Sequence, residues 1–207
     1  GRIVEFMRKI LVHEGAVVIR FGRPLDPLGH DVDDDGRSLD RRGRVVDLRG
    51  YFTGADGAVV EDDQRDAAYT RLLGRRLVAA FPRESVFHAT SLAARAFYDR
   101  LCASAGTRDI YRLTRLPPGR EVPVADVVRG LGALRAQLAA RPEAGRLHAR
   151  AAAAGYSAIL DDALGALGSY HSHPVIERRG DMVRIGDVKL LYYYQNRLAY
   201  LPVEVAP

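Results

Sequence analysis

The sequence contains almost no cysteine and almost no lysine. Its single cysteine, Cys102, excludes an internal disulfide framework and favours a reducing compartment. Because it stands between Leu101 and Ala103, we expect a small buried residue there rather than a nucleophile. Two of the 31 basic residues are lysines, Lys9 and Lys189, so the other 29 are arginines. The arginines do not cluster on one helix face, which argues against a nucleic-acid-binding domain.

Long apolar runs are also missing. No segment approaches the roughly 20 consecutive apolar residues that span a bilayer, and no secretory signal is present. The 47% hydrophobic and 28% charged composition is typical of a globular protein of one domain, or of one domain with a helical extension. The chain starts at Gly1 inside an amphipathic pattern that runs through Ile3 to Leu11. This pattern predicts a helix already under way, and thus a sequence that begins within a longer protein.

The first third of the chain predicts one strand and a long loop. The β-branched run 16–21, closed by Gly22 and Pro24, is typical of a buried strand. Residues 22–62 are rich in Gly and Asp, with short strand-like pieces at 45–46 and 58–60. A loop of this length is usually functional or an insertion. We expect no internal repeat.

The rest of the chain is predicted to be mainly helical, with a short strand at 85–87. The predicted helices cover 63–80 with Asp63 as N-cap, 91–101, a segment with the stripe Leu131, Leu134 and Leu138, 143–153, and 156–167. A hairpin of 175–177 and 182–185 precedes a last helix, capped by Asp187, with Leu190, Tyr194, Leu198 and Leu201 on its apolar side. We divide the chain into an α/β part, residues 1–116, and a mainly helical part, residues 117–207.

One local motif indicates calcium. Asp31, Asp33 and Asp35 form the first half of a D-x-D-x-D-G loop, whose spaced carboxylates bind one hard cation. The second half departs from the pattern, since Ser38 stands at the aliphatic position and Arg42 at the position of the bidentate Glu. A calcium-binding module therefore stays an alternative function, and we assign no metal ligand.

Other candidate motifs predict no active site. His30 and Asp35 have the H-x-x-x-x-D spacing of a base and its orienting carboxylate, but a His before an acidic turn matches it by coincidence. Phe81 opens a segment that lacks the Glu-Gly-Thr core of an acyltransferase motif, and we interpret it as a helix exit. His171 and His173 lack a third metal ligand, which favours a surface loop. We assign no catalytic residue.

Three segments together carry a family resemblance. The first is Val18-Ile19-Arg20-Phe21-Gly22-Arg23-Pro24, followed by the Asp-Gly loop through Asp40-Arg41-Arg42-Gly43 and Tyr51-Phe52. The second is Gln64-Arg65-Asp66 with Tyr69-Thr70. The third is Leu190-Leu191-Tyr192-Tyr193-Tyr194-Gln195-Asn196-Arg197-Leu198. This combination, over about residues 15–201, resembles the C-terminal portion of bacterial glycerol-3-phosphate acyltransferases of the phospholipid/glycerol acyltransferase superfamily.

The resemblance implies the C-terminal strands and helices of an acyltransferase-type α/β sheet, followed by a mainly helical region. It implies transfer of an acyl group from an acyl thioester, acyl-CoA or acyl carrier protein, to glycerol 3-phosphate or its monoacyl product. It implies a cytoplasmic location at the inner membrane face, with peripheral membrane contact and no cofactor.

The family's H-x-x-x-x-D and F-P-E-G blocks precede the F-G-x-P strand, and this sequence contains neither block before that strand. We therefore expect no activity from this chain alone. We name Arg20 and Arg65 as residues for substrate or head-group contact. A non-catalytic interaction domain remains a further alternative.

Overall fold

The computed structural model describes residues 17–117, 119–169, 171 and 173–202. The chain divides into two compact units. We call Ile19–Ser85 the turn unit, and Val86–Pro207 with the residues before Ile19 the helical unit. The predicted boundary at residue 117 differs from this division, because it falls inside the helical unit. The predicted first helix lies outside the described residues.

Residues 26–60 form tight turns that repeat every seven residues. The glycines at this spacing are Gly29, Gly36, Gly43, Gly50 and Gly57, and all except Gly50 have φ between 76° and 84°. Asp26, Asp33, Asp40 and Asp47 each stand three residues before one of the first four of these glycines. Each of these Asp carboxylates accepts a hydrogen bond from the backbone N–H of the residue two positions later. Such Asp side chains and left-handed glycines stabilise turns. The expectation of no internal repeat was therefore wrong.

Short antiparallel pairings connect these turns. Strand β1 (Asp31–Val32) pairs with strand β2 (Ser38–Leu39), and isolated bridges join Leu39 to Val45 and Thr53 to Val59. A 3-10 helix covers Leu48–Tyr51. The region predicted as a loop insertion is thus a chain of hairpins, held mainly by backbone bonds and Asp side chains.

Helix α1 (Asp63–Glu84) completes the turn unit. Asp62 is its N-cap and accepts bonds from the N–H groups of Gln64 and Arg65, so the cap lies one residue before the predicted Asp63. The helix predicted over 63–80 is confirmed and ends four residues later.

The predicted strand over 16–21 is wrong for its described residues, 17–21. These residues are in no strand, and Ile19 and Phe21 are 75% and 92% exposed. A strand requires a neighbour for its backbone hydrogen bonds. The described chain supplies none for this segment, although its β-branched composition favours strand.

The helical unit is mixed α/β with small sheets. Its strands are β3 (Val86–Phe87), β4 (Glu121–Pro123), β5 (Arg146–Leu147), β6 (Ile176–Arg179) and β7 (Met182–Ile185). Its helices are α2 (Ala89–Ala105), α3 (Ile110–Leu113), α4 (Val124–Ala140), α5 (Ala149–Ala153), α6 (Tyr156–Ser169) and α7 (Val188–Gln195), with 3-10 helices at Pro142–Ala144 and Asn196–Leu198. Strands β3 and β5 are parallel, and β4, β7 and β6 form an antiparallel sheet with the predicted hairpin.

Helix α2 is the centre of the helical unit. It packs against α4, α6 and α7, and it is buried on most of its circumference, as expected of a central helix. The predicted stripe Leu131, Leu134 and Leu138 is buried against this core. Of the predicted apolar side of the last helix, Leu198 and Leu201 are buried, and Leu190 and Tyr194 are partly buried against the core. Leu191, which was not predicted there, is also fully buried.

A buried arginine links α2 to the end of the described chain. The Arg95 side chain is 1% exposed and donates from Nε to Asp99 at 2.7 Å. Its Nη1 and Nη2 atoms donate to the carbonyl oxygens of Leu198 and Leu201 at 2.6 and 3.0 Å. Arg95 therefore fixes the segment after α7 on the central helix.

The predicted α/β class is confirmed at the level of a mixed, largely helical chain. Among the described residues, no helix combines the length and the apolar character needed to cross a bilayer.

Candidate functional site

Helices α2 and α4 border a cavity of about 440 Å³ in the helical unit. Ala96, Asp99, Arg100 and Ala103 line it from α2. These positions lie three and four residues apart and therefore share one helix face. Cys102 also lines the cavity; it is buried, as predicted, and burial raises the pKa of its thiol.

The facing wall has the same spacing. Gly130, Ala133, Leu134 and Gln137 line the cavity from α4. The helices lie close together at Gly130, where an added Cβ would lie 3.2 Å from the Ala96 Cβ. Away from this contact, the small alanines on both helices leave space that larger side chains would fill.

Arginines surround the cavity in excess of carboxylates. Asp99 accepts from both Arg95 and Arg108 at 2.7 Å, and Asp126 pairs with Arg100 at 3.5 Å and with Arg129. Together, the two clusters around Asp99 and Asp126 contain four guanidinium groups and two carboxylates, which gives them a formal charge of +2. Arg100, Arg108 and Arg129 line the cavity and are partly exposed, so the positive charge faces it where solvent enters.

Gln137 contributes a polar atom without a partner. Its side chain lines the cavity, the residue is 7% exposed, and its Oε1 accepts no hydrogen bond within the described part of the chain. A buried acceptor left without a donor costs about 1–3 kcal/mol. Because this oxygen has almost no accessible surface, it does not face the open space of the cavity, and Gln137 lines the cavity through its other atoms.

Two histidines form a second cluster in the helical unit. His88 and His148 follow the parallel strands β3 and β5, and their rings stack with centroids 4.7 Å apart. Burial lowers the pKa of His88, and the nearby His148 and Arg197 lower it further. Among the described residues, no group of three or more His, Cys, Asp or Glu side chains is arranged to hold a metal ion.

Arg20, predicted to contact substrate, lies near the end of α1. Its Nη2 donates to Oε2 of Glu84 at 2.8 Å, and its side chain is one-quarter exposed. The geometry leaves part of the guanidinium accessible to solvent.

Arg65, the second predicted contact residue, lies at the start of α1. Its guanidinium donates to the carbonyl oxygens of Tyr51 and Val60, both at 2.9 Å, and to Asp66, and its side chain is 17% exposed. Along α1, Arg65 and Glu84 are separated by about 28 Å of helix axis. The structure therefore does not bring Arg20 and Arg65 together, and one small phosphate cannot contact both.

The carboxylates of the calcium-like loop are engaged by arginines. Asp31 accepts from Arg76 at 2.7 Å, and Asp33 and Asp35 accept from Arg37 at 2.9 and 2.8 Å. Asp33 also accepts two backbone N–H bonds within its turn. The geometry therefore shows Asp33 stabilising a turn, and Asp31 and Asp35 as ion-pair partners of arginines.

The remaining predicted histidines have local partners. His30 Nδ1 bonds Asp26 Oδ2 at 2.9 Å, in the same four-residue relation as the pairs Asp33–Arg37 and Asp40–Arg44 of the next two turns. His30 is thus part of the repeat. His171 Nε2 lies 2.9 Å from the Tyr194 hydroxyl, and His173 is exposed.

The cavity residues Arg100, Arg129 and Gln137 were not predicted as site residues. Each helix alone shows only an amphipathic pattern with alanines. Small residues at seven-residue spacing, Ala96 and Ala103, are the one local signal that could have indicated space beside α2.

Comparison with known proteins found no matching protein-family model, no matching curated protein and no matching solved structure. Conclusions about function therefore depend on the residues themselves.

Proposed function

We propose that the chain is the C-terminal portion of a bacterial glycerol-3-phosphate acyltransferase. In this role it belongs to an enzyme that moves an acyl group from acyl-CoA or acyl carrier protein to glycerol 3-phosphate or its monoacyl product. The observation that carries the proposal is the ordered occurrence of the F-G-x-P segment, the Asp-Gly loop with Q-R-D-x-x-Y-T, and the terminal L-L-Y-Y-Y-x-N-R-L segment.

Packing within the turn unit supports treating two of these segments as one structural element. The Arg65 guanidinium lies 5.2 Å from the Phe52 ring centroid, and the Tyr69 ring meets Tyr51 edge-on at 5.7 Å. The end of the Asp-Gly loop and the Q-R-D-x-x-Y-T segment therefore form one cluster. A cluster of this kind gives a reason for the two segments to occur together.

The exposed residues 17–21 also fit the proposal. Val17, Ile19 and Phe21 are highly exposed, although their sequence is typical of a buried strand. In the proposed enzyme the N-terminal catalytic part supplies the neighbouring strands. The same part supplies the H-x-x-x-x-D general base, and this chain supplies none of the reacting groups.

The proposal includes a cytoplasmic location with peripheral contact at the inner membrane face. Leu77, Val78 and Phe81 are exposed on α1, and Arg71 and Arg75 are exposed on the same helix. Exposed apolar residues beside cations suit the surface of an anionic membrane.

The decisive experiment uses the longer coding sequence that contains residues 1–207. We expect it to encode an H-x-x-x-x-D block before residue 1 and to restore growth of a bacterium without its own glycerol-3-phosphate acyltransferase. Replacing the histidine of that block by Ala should abolish growth. Residues 1–207 alone should not acylate glycerol 3-phosphate. Acylation by the 207-residue chain, or an upstream sequence without the block, would contradict the proposal.

The two arginines are tested in the same full-length protein. Arg20→Ala should raise KM for glycerol 3-phosphate if Arg20 contacts the acceptor, with Arg23→Ala as the exposed control. Arg65→Ala requires a parallel measurement of the unfolding midpoint, because it removes bonds to Tyr51 and Val60. Unchanged KM in both variants would refute the assignment of these residues to the substrate.

A further inference from the structure

We infer that the cavity between α2 and α4 binds a single-chain anionic amphiphile, a molecule with one hydrocarbon chain and a carboxylate or phosphate head group. The inference rests on the residues that line the cavity and does not depend on the proposed function. The volume of about 440 Å³ is within the range of small-molecule sites in proteins, roughly 300–1,000 Å³.

The interior of the cavity suits a hydrocarbon chain. Ala96, Ala103, Gly130, Ala133 and Leu134 supply apolar wall from both helices. Transfer of one methylene group from water into such a wall raises affinity roughly fourfold. Among the described residues, no aromatic side chain lines the cavity, so within this part of the chain a nucleobase or another flat ring would find no stacking partner there.

The rim of the cavity suits an anion. Three lining arginines, Arg100, Arg108 and Arg129, share only two carboxylates with Arg95. Guanidinium groups bind carboxylates and phosphates through paired N–H donors. An anionic head group would neutralise the excess charge, whereas a cation would be repelled.

Calorimetric titration of the 207-residue chain with ten-carbon probes tests the inference. Decanoate and decyl phosphate distinguish a fatty carboxylate from a phosphate monoester, and binding of either supports the anionic head group. Decanol is the neutral control and should bind at least roughly tenfold more weakly than the anion that binds best, since it lacks the charge-assisted hydrogen bonds.

Two variant pairs locate the site. Ala133→Leu should lower affinity roughly tenfold or more by occupying the chain space, and Ala136→Leu, exposed on the same helix, should not change it. Arg129→Gln should weaken binding of decanoate and decyl phosphate and leave binding of decanol unchanged. The exposed Arg141→Gln is the control. Arg129 is largely exposed, so its variant tests the inference even if Ala133→Leu fails to fold.

The single cysteine gives an independent readout, because Cys102 lines the cavity. Bound decanoate should slow alkylation of Cys102 by iodoacetamide. Three results would overturn the inference: neither anion binds, decanol binds as tightly as both anions, or binding persists unchanged in Ala133→Leu and Arg129→Gln.

Discussion

Replacement of Arg95 by Met should destabilise the helical unit more than any surface substitution. The Arg95 side chain is 1% exposed, and its two terminal nitrogens donate to the carbonyl oxygens of Leu198 and Leu201. Methionine fills a similar space with an unbranched apolar chain but donates no hydrogen bond. The variant therefore leaves two carbonyl groups without their donors.

The magnitude follows from these bonds. A hydrogen bond to a charged group contributes about 1.5–3 kcal/mol, so two bonds give about 3–6 kcal/mol. Burial of a guanidinium opposes folding, and Met removes that penalty. Asp99 keeps Arg108 as a partner at 2.7 Å. We therefore expect the lower half of the range, about 3–4 kcal/mol.

Urea denaturation followed by circular dichroism at 222 nm measures this loss as a lower midpoint. The matched control is Arg115→Met, an exposed arginine of the same unit, which should change stability by less than about 0.5 kcal/mol. Faster amide exchange in the segment after α7 should accompany Arg95→Met. A loss below about 1 kcal/mol for Arg95→Met, within the range of ordinary surface contacts, would refute the reasoning.

Two further predictions concern the helical unit. Gly186→Ala would place a Cβ 2.2 Å from the Pro174 carbonyl oxygen and should lower the free energy of unfolding by about 1–3 kcal/mol. Gly132→Ala, with its nearest contact at 3.6 Å, should instead raise the free energy of unfolding by about 0.5–1 kcal/mol. If both variants changed the free energy of unfolding in the same direction, the steric argument would be contradicted. Because burial and the neighbouring His148 lower the pKa of His88 in the folded chain, its contribution to stability is present above the ordinary value of about 6.5 and is lost as pH falls through the folded value. An NMR titration should give a midpoint for His88 below about 6.5 that rises in His148→Gln, and an unshifted midpoint would show that the stacked pair does not act on His88.

Helices could be predicted from an apolar stripe with a 3.6-residue period, which is a local feature of the sequence. The stripe of Leu131, Leu134 and Leu138 belongs to α4 and is buried, whereas the helix predicted over 63–80 belongs to α1, which buries none of its residues. The last helix shows the limit: its cap, Asp187, is confirmed and its predicted apolar side packs against the core, but the sequence did not indicate that Leu191 is also fully buried.

The predicted strand at residues 17–21 and the expectation of no internal repeat were wrong for different reasons. Strand formation depends on a partner elsewhere in the fold, and composition alone does not reveal whether the partner is present. The repeat was visible in the spacing of Gly29, Gly36 and Gly43. A period of seven also fits one face of an amphipathic helix, so it indicates turns only when each Asp-x-x-Gly step is recognised as a turn.

The positively charged rim of the cavity could not be predicted, because the sequence does not show which arginines keep N–H donors available for a ligand. Composition shows 29 arginines without distinguishing among them. In the structure, Arg95 and Arg65 direct their donors at backbone carbonyls and fix the fold. Arg100 and Arg129 instead share one carboxylate, Asp126, beside an apolar space. Their remaining N–H groups are available to a ligand, and that difference arises only when α2 and α4 pack through Ala96 and Gly130.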